Sequence, residues 1–489
     1  MALVTVFSCI ERALGFIYRI FLSRSLGAET LGVYQVALSV IGLLMTITSS
    51  GIPITVSRLM AKRHAIGNKS GKYAVVTAGI FIALIISVPL ILLLLIFGDN
   101  LTFLVTNLQS HKALKIMLPG VIITSVYAVI RGFFWGEKRF FTYSVIELAE
   151  EIVMLIAGVI LVNASTSNLT GAEKASYAVL ISYVFSFLMS SVTYFLFGGK
   201  ITKCKTELKP LITSATPITL MRTLTSLLNT LIATILPNRL IASGLTNSVA
   251  MSKYGALSGM SIPLIYIPST LIGSIALVLV PELAENFYRK NMVTLKNNVE
   301  KAVKCAVFIS TLIIPVFIAL GKEIGTLIYN NLEAGEYVQK ASIIMFPMSI
   351  SLITTSMLNS LNLEKKTLKY YTIGAFLLLL CIWFLPNVIG IYSLVVGLMI
   401  SYIITAVCNI KLISKTCIVA PKFTVFIVAS LVFIVPSTLL SYLLNNVLIL
   451  VIPKTLSIII TGIITVAFTY LFYKIFDLFD LTELIKSKK

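Results

Sequence analysis

Residues 1–27, MALVTVFSCIERALGFIYRIFLSRSLG, decide the fold class of this chain. The stretch is apolar apart from Glu11, Arg12, Arg19 and Arg24. About 20 residues at about 1.5 Å each are enough to cross a hydrocarbon layer of about 30 Å. An ionisable group near the bilayer centre costs about 2.5 to 3.5 kcal/mol, so such groups normally face a polar cavity, a partner or a transported charge. The stretch therefore predicts a membrane helix with a polar side.

Two arginines of this helix share that side. Arg12 and Arg19 are seven residues apart, which places them within about 20° of each other around an α-helix. A side that carries two guanidinium groups cannot face lipid. We therefore expect both arginines to face a cavity inside the protein.

The composition is that of a polytopic membrane protein. The 489 residues are 58% hydrophobic and only 12% charged, with a mean hydropathy of +0.99. The net charge of +20 does not indicate nucleic acid, because the basic residues lie in short loops between apolar segments. Six scattered cysteines and two isolated histidines predict neither a metal site nor a disulfide framework, and no cofactor is expected.

Fourteen apolar segments are long enough to span a membrane. They run over residues 2–22, 32–56, 73–97, 115–134, 145–162, 176–197, 211–236, 255–280, 302–320, 341–361, 368–385, 388–410, 422–443 and 448–473. With both termini in the cytoplasm, the inner loops and tail hold 27 Lys and Arg and the outer loops hold 9. That bias predicts a multi-pass protein of the cytoplasmic membrane with both termini inside.

A weak internal repeat divides the chain. IMLPGVIITSVYAVIRGFFWGEKRFF from Ile116 and IMFPMSISLITTSMLNSLNLEKKTLK from Ile344 share Ile-Met-x-Pro and a later Glu-Lys pair. Six helices per copy make the two copies parallel, an arrangement found in transporters. We predict an all-α protein with an N-lobe at 1–200, a C-lobe at 201–413, and two further helices with a tail at 414–489.

The repeat makes the seventh helix the counterpart of the first, and that helix holds Arg222. Glu11 is expected to be the only acid at the level of the arginines, because the glutamates at 147, 150 and 151 are assigned to the inner end of the fifth helix. About two positive charges would then be unmatched, which favours a hydrated cleft that receives an anion. Arg forks bind phosphate oxygens in pairs, so a diphosphate fits. The predicted substrate-binding residues are Arg12, Arg19, Arg222 and Glu11.

Four motifs carry a family resemblance. RALGFIYRIFLSRSLGAETLGVYQ at 12–35, SSGIPITVSRLMA at 49–61, RGFFWGEKRF at 131–140 and PNRL at 237–240 resemble the polysaccharide-transporter branch of the multidrug/oligosaccharidyl-lipid/polysaccharide exporter superfamily. The resemblance implies a MATE-like fold with two six-helix lobes around a central cavity. It also implies alternating-access flipping of an undecaprenyl-diphosphate-linked saccharide, namely lipid II for spore cortex peptidoglycan.

The motif RALGF matches the first-helix motif of related lipid II flippases, so Arg12 carries over directly. Arg19 lies one position later than their second arginine, and their second-helix arginine is replaced here by uncharged residues such as Thr46 and Thr48. Export of another lipid-linked polymer, such as a teichoic acid or capsule unit, and a multidrug cation antiporter of the same fold remain alternatives.

Several further expectations follow. No loop combines a nucleophile with a base or pairs two carboxylates, so an enzyme is disfavoured. Expected partners are the lipid-linked saccharide, membrane lipids and cell-wall synthases, and the protein is expected to act as a monomer. The aromatic residues of RGFFWGEKRFF are expected to form a belt at the inner interface, and Gly132 with Gly136 to form a packing motif. Coupling to the membrane potential is favoured over a carboxylate-based sodium or proton cycle.

Overall fold

A computed structural model of the chain describes residues 2–66, 68–97, 107–164, 169–289, 291–416 and 424–479. Every regular element in these ranges is helical. Twelve helices in the described ranges are long and apolar enough to cross a membrane. One of them, Val6–Ala65, contains the first two predicted spans. The fifth predicted span corresponds to a further helix, of 24 residues, which carries three glutamates. The described helices thus account for fourteen spans and confirm the all-α polytopic class; Cys417 and the tail beyond residue 479 lie outside the described residues.

The chain divides into two compact units, Met1–Gly255 and Ala256–Lys489. The helices of the first unit are α1 Ala2–Ser49, α2 Ile52–Ala65, α3 Lys69–Phe97, α4 Leu108–Gly136, α5 Phe140–Asn163, α6 Gly171–Leu196, α7 Lys205–Ala242 and α8 Asn247–Tyr254. Helix α7 packs on α1, α2 and α3, and so belongs to this unit. The repeat-based boundaries at residues 200 and 413 stay a prediction.

Helix α1 reverses direction at Gly27. That residue has φ +77° and ψ 173°, a backbone conformation that glycine adopts without a steric penalty. Tyr34 lies within electrostatic reach of Tyr18 and Arg19. Sixteen residues of straight helix would separate Tyr18 from Tyr34 by about 24 Å, so the two halves of α1 must run side by side. The first and second predicted spans are these two halves.

Small residues let the helices of the first unit approach closely. A methyl group added at Gly132 in α4 would lie 2.8 Å from the carbonyl oxygen of Pro53 in α2, and one added at Gly136 would lie 3.2 Å from Met60. The predicted packing role of this glycine pair is therefore confirmed. Gly255 contacts the backbone of Ala28 in α1 even more closely.

The second unit is built around α10. Its elements are a π-helical segment Gly255–Ser261 that begins at the boundary, α9 Ile262–Tyr288, α10 Met292–Tyr329, α11 Leu332–Ala341, a 3-10 turn Ser342–Ile344, α12 Met345–Ser360, α13 Glu364–Phe384, α14 Pro386–Ile389, α15 Tyr392–Thr416, α16 Thr424–Leu448 and α17 Lys454–Ile475. The pair α16–α17 packs on α10, where Ile458 meets Ala319 and Leu320, and its own buried side chains include many hydroxyls. Among these, Tyr473 Oη donates to Ser430 Oγ at 2.7 Å.

Candidate functional site

The first unit contains all four of the predicted substrate-binding residues. Arg12 is exposed, and Glu11 and Arg19 are half-buried, all in the first half of α1. Glu11 interacts electrostatically with Arg12, and Arg19 interacts in the same way with Tyr34. Arg12 therefore presents an accessible guanidinium group from a membrane helix.

Arg222 reaches the junction between α1 and α2. Its side chain is exposed, and its Nη1 donates to the carbonyl oxygen of Ser50 at 3.1 Å. Helix α7 can come this near because Gly51 has no side chain: an added methyl group would lie 2.5 Å from the Ala215 carbonyl oxygen. The hydrogen bond to Ser50 uses one of the five N–H donors of the guanidinium group. Arg222 therefore has further donors to offer an anion.

Three glutamates of α5 lie on one helix face, at positions 147, 150 and 151. Glu11 and Glu147 both act electrostatically on Glu151. A methyl group added at Gly15, one turn beyond Glu11, would lie 3.7 Å from Oε1 of Glu151. The expectation that Glu11 is the only acid at its level is therefore wrong.

The reason lies in where α5 begins. The helix starts at Phe140 rather than at residue 145, so Glu151 is the twelfth of its 24 residues and lies near its middle. Hydropathy alone excluded the amphipathic first turn and so placed the glutamates too near the inner end.

Arg131 of α4 is a site residue that the sequence reasoning missed. Its Nη1 donates to Glu147 Oε1 at 3.2 Å, and its guanidinium group lies 5.7 to 6.0 Å from the ring centres of Tyr127, Trp135 and Tyr143. The sequence did hold a signal, because Arg131 and Glu147 are equally distant from Arg139, where α4 and α5 turn back on each other. Residues so placed meet across an antiparallel helix pair.

With Arg131 included, four arginines stand against four glutamates. The positive set is Arg12, Arg19, Arg131 and Arg222, and the negative set is Glu11, Glu147, Glu150 and Glu151. The prediction of about two unmatched positive charges therefore does not hold beside the first half of α1, because α5 supplies carboxylates there. Exposed positive charge is still found at two positions, because Arg12 and Arg222 are exposed whereas the four glutamates are half-buried.

Two of the aromatic residues that follow Arg131 are not part of an interfacial belt. Phe133 and Phe134 are 1% and 0% exposed and belong to the core of the first unit. The ring of Phe133 packs edge-on against Tyr194 of α6, with centroids 4.8 Å apart. The predicted belt is wrong for these two residues, since they fix α4 against its neighbours.

Among the described residues, no group of three or more His, Cys, Asp or Glu side chains is placed to hold a metal ion. The glutamates of α5 share a helix face, but they do not form such a group.

Comparisons with known proteins agree on family and fold. The sequence model of the polysaccharide biosynthesis protein family matches residues 1–287. Stage V sporulation protein B of Bacillus subtilis (strain 168) is 22% identical over 380 residues, which cover 75% of this chain and 73% of that protein. Sporulation protein YkvU of the same strain is 21% identical over 295 residues, covering 58% of this chain and 64% of that protein.

Two solved structures share the fold. Lipid II flippase MurJ in an inward closed conformation has a TM-score of 0.74 at 15% identity, covering 97% of this chain and 99% of that one. An inward-facing multidrug resistance transporter of the MATE family, from the MOP superfamily, has a TM-score of 0.66 at 17% identity, covering 84% of this chain and 98% of that one. These similarities confirm the MATE-like fold.

Proposed function

The chain belongs to the polysaccharide biosynthesis protein family, and on that premise we propose that it is a membrane exporter that flips a lipid-linked saccharide. The proposed cargo is an undecaprenyl-diphosphate-linked saccharide, and specifically lipid II for spore cortex peptidoglycan. Similarity to a stage V sporulation protein supports the role in sporulation, and the fold shared with a lipid II flippase supports the cargo class. We place the protein in the cytoplasmic membrane with both termini inside, acting as a monomer beside cell-wall synthases.

The observation that carries this proposal is the pair of exposed guanidinium groups on membrane helices of one unit. Arg12 and Arg222 lie on α1 and α7, and α7 packs directly on α1. Arginine in an apolar environment needs an anionic or carbonyl partner, and its planar fork suits the paired oxygens of a diphosphate. We propose that Arg12, Arg19 and Arg222 bind the diphosphate, that Glu11 orients Arg12, and that the prenyl chain stays in lipid.

The balance of charges also changes how a membrane potential would act. When all four glutamates and all four arginines are ionised, an empty site is close to neutral, and the two negative charges of the cargo become the charges that move. An inside-negative potential of 100 mV drives two negative charges outward with about 5 kcal/mol. The potential would thus assist the loaded step and not the return of an empty, cationic site.

The test is translocation of a fluorescent lipid II analogue in reconstituted vesicles, with Arg12→Ala and Arg222→Ala as variants. We expect each to lose at least about tenfold in rate, because a charge-assisted bond contributes about 1.5 to 3 kcal/mol. Arg289→Ala is the matched control, since Arg289 is an exposed arginine that pairs with Glu285 in the second unit at 2.8 Å. Unchanged translocation in both site variants would refute the proposed binding site.

A second candidate function is a multidrug antiporter for organic cations. The glutamates of α5 and the fold shared with a multidrug resistance transporter favour it. Vesicles that export an organic dye cation but leave the lipid II analogue in place would establish this alternative over the flippase.

A further inference from the structure

Glu151 has a carboxylate in the membrane region that forms no ion pair with the cations described above. Its Oε2 is buried and makes no hydrogen bond to any described residue. By contrast, Glu147 pairs with Arg131 at 3.2 Å, and Glu150 lies beside Ser186, whose hydroxyl donates to the carbonyl oxygen of Tyr183. Of the three glutamates on this face of α5, Glu151 is thus the one with a buried carboxylate oxygen that lacks a hydrogen-bond donor among the described residues.

The surroundings of Glu151 come from three helices. The acids and phenols that interact electrostatically with its carboxylate are Glu11, Tyr18 and Tyr34 from α1, Glu147 and Glu150 from α5, and Tyr183 from α6. The nearby cations act on these same neighbours: Arg12 and Arg131 on Glu11, and Arg19 on Tyr34. A negative charge on Glu151 would therefore be repelled by up to three other carboxylates. A bound cation removes that repulsion.

An independent observation points to the same place. Tyr18 is only 4% exposed, and its hydroxyl makes no hydrogen bond within the described residues although it lies within electrostatic reach of Glu151. That hydroxyl lies against Gly158, two turns beyond Glu151 on the same face of α5. A buried hydroxyl left unpaired costs about 1 to 3 kcal/mol, so water that entered along this face would stabilise the hydroxyl as well as the carboxylate. The geometry does not suit a metal, because the described carboxylates do not converge as metal ligands and the Arg131 guanidinium group already neutralises Glu147.

We propose that Glu151 is a proton-binding site whose occupancy is linked to diphosphate binding at Arg12. Glu151 faces Gly15, which is three residues, or about 4.5 Å of helix, from Arg12 on the same helix. Protonation of Glu151 removes one negative charge from beside α1, which leaves the arginines less neutralised and strengthens anion binding. By linkage, binding of the diphosphate makes the protein take up a proton from solution. The linkage rests on the proposed flippase function, whereas the proton site itself does not.

The first experiment tests the site in the ligand-free protein. Infrared difference spectra between pH 6 and pH 8 would show a protonated carboxyl stretching band in the wild type that shifts in D2O. Glu151→Gln should remove this band, and Glu151→Asp should keep it. Glu336→Gln, an exposed acid of the second unit that pairs with Lys322, is the control and should change nothing. No band, or a band that persists in Glu151→Gln, would overturn the proposed site.

The second experiment tests the linkage with a short-chain prenyl diphospho-N-acetylglucosamine in detergent. Such a diester does not itself titrate near neutral pH, so any proton uptake comes from the protein. At an effective dielectric constant of about 20, one charge about 12 Å away changes the affinity by about tenfold for each unit charge, so the two negative charges of the diester allow a change of up to about 100-fold. We expect the wild type to bind at least about tenfold more tightly at pH 6 than at pH 8 and to take up a proton on binding.

In Glu151→Gln, which mimics the protonated state, binding should be tight at both pH values and should take up no proton. Proton uptake that persists in this variant would overturn the linkage. If the wild type binds no diester at either pH, the flippase proposal and the linkage both fail, while the carboxyl band alone still decides the proton site.

Discussion

Arg63 and Glu207 form an ion pair that fastens the start of α7 to the end of α2. The distance between Arg63 Nη2 and Glu207 Oε1 is 2.5 Å, and the two side chains are 28% and 4% exposed. Replacing Arg63 by Met would leave the Glu207 carboxylate buried without its partner. Such a loss costs about 3 to 5 kcal/mol. The helix N-terminus returns up to about 1 kcal/mol, because Glu207 lies in the first turn of α7.

The expected net cost is therefore about 2 to 4 kcal/mol, or about 30-fold to 700-fold in the equilibrium for detachment of the start of α7. A thiol at residue 211 can measure it. Leu211 is 0% exposed and lies one turn after Glu207, so Leu211→Cys on a background without other cysteines reacts with a maleimide only when this turn detaches. Alkylation should accelerate by the same factor in Arg63→Met.

Two controls isolate the buried charge. Arg58→Met removes an exposed arginine from the same helix and should not change the alkylation rate. The double variant Arg63→Met with Glu207→Leu removes both charges and should return the rate to within a few-fold of the parent. If Arg63→Met alone accelerates alkylation less than about threefold, or if the double variant is as fast as the single one, the reasoning is refuted.

Two further predictions concern packing. Gly255→Ala should abolish recovery of monodisperse protein in size-exclusion chromatography, because the added methyl group would overlap the Ala28 backbone, while Gly273→Ala, with open space around it, should be recovered normally. Tyr473→Phe should lower the free energy of unfolding by about 0.6 to 1.7 kcal/mol through loss of its bond to Ser430, measured by thermal unfolding in detergent. Tyr442→Phe, at a side chain that is 56% exposed, should leave the transition unchanged, and a reversed order of the two tyrosine variants would contradict the assignment.

The sequence predicted the spans well for a physical reason. In a hydrocarbon layer each backbone N–H and C=O must form a hydrogen bond within the protein, and a single long apolar segment achieves this as a helix. The fourteen predicted segments correspond to described helices on that ground alone. Where a helix begins with a mixture of aromatic and hydroxyl residues, as α5 does before Glu147, hydropathy gives no clear boundary, and the depth of its charges was misjudged.

Burial within the protein was harder to predict than insertion in the membrane. Lipid and protein interior are both apolar, so an aromatic residue such as Phe133 or Phe134 carries no sign of which one it faces. The small residue Gly132 gave a better signal, because close helix contact requires it. The binding role of Arg12, Arg19 and Arg222 stays a prediction, and Arg222, which the repeat assigned to the second lobe, lies in the first compact unit. The countercharges came from α4 and α5 through contacts that one sequence does not show.

The reversal of α1 at Gly27 limits where this protein can be altered. One residue with a positive φ takes the place of a loop, so the two halves of α1 are joined without any flexible connecting residues. A peptide tag inserted after Gly27 would pull Tyr18 and Tyr34 out of register and carry Arg12 with them. The turn at Gly244, with φ +101° and open space around it, is the better place for a tag or a fluorescent reporter.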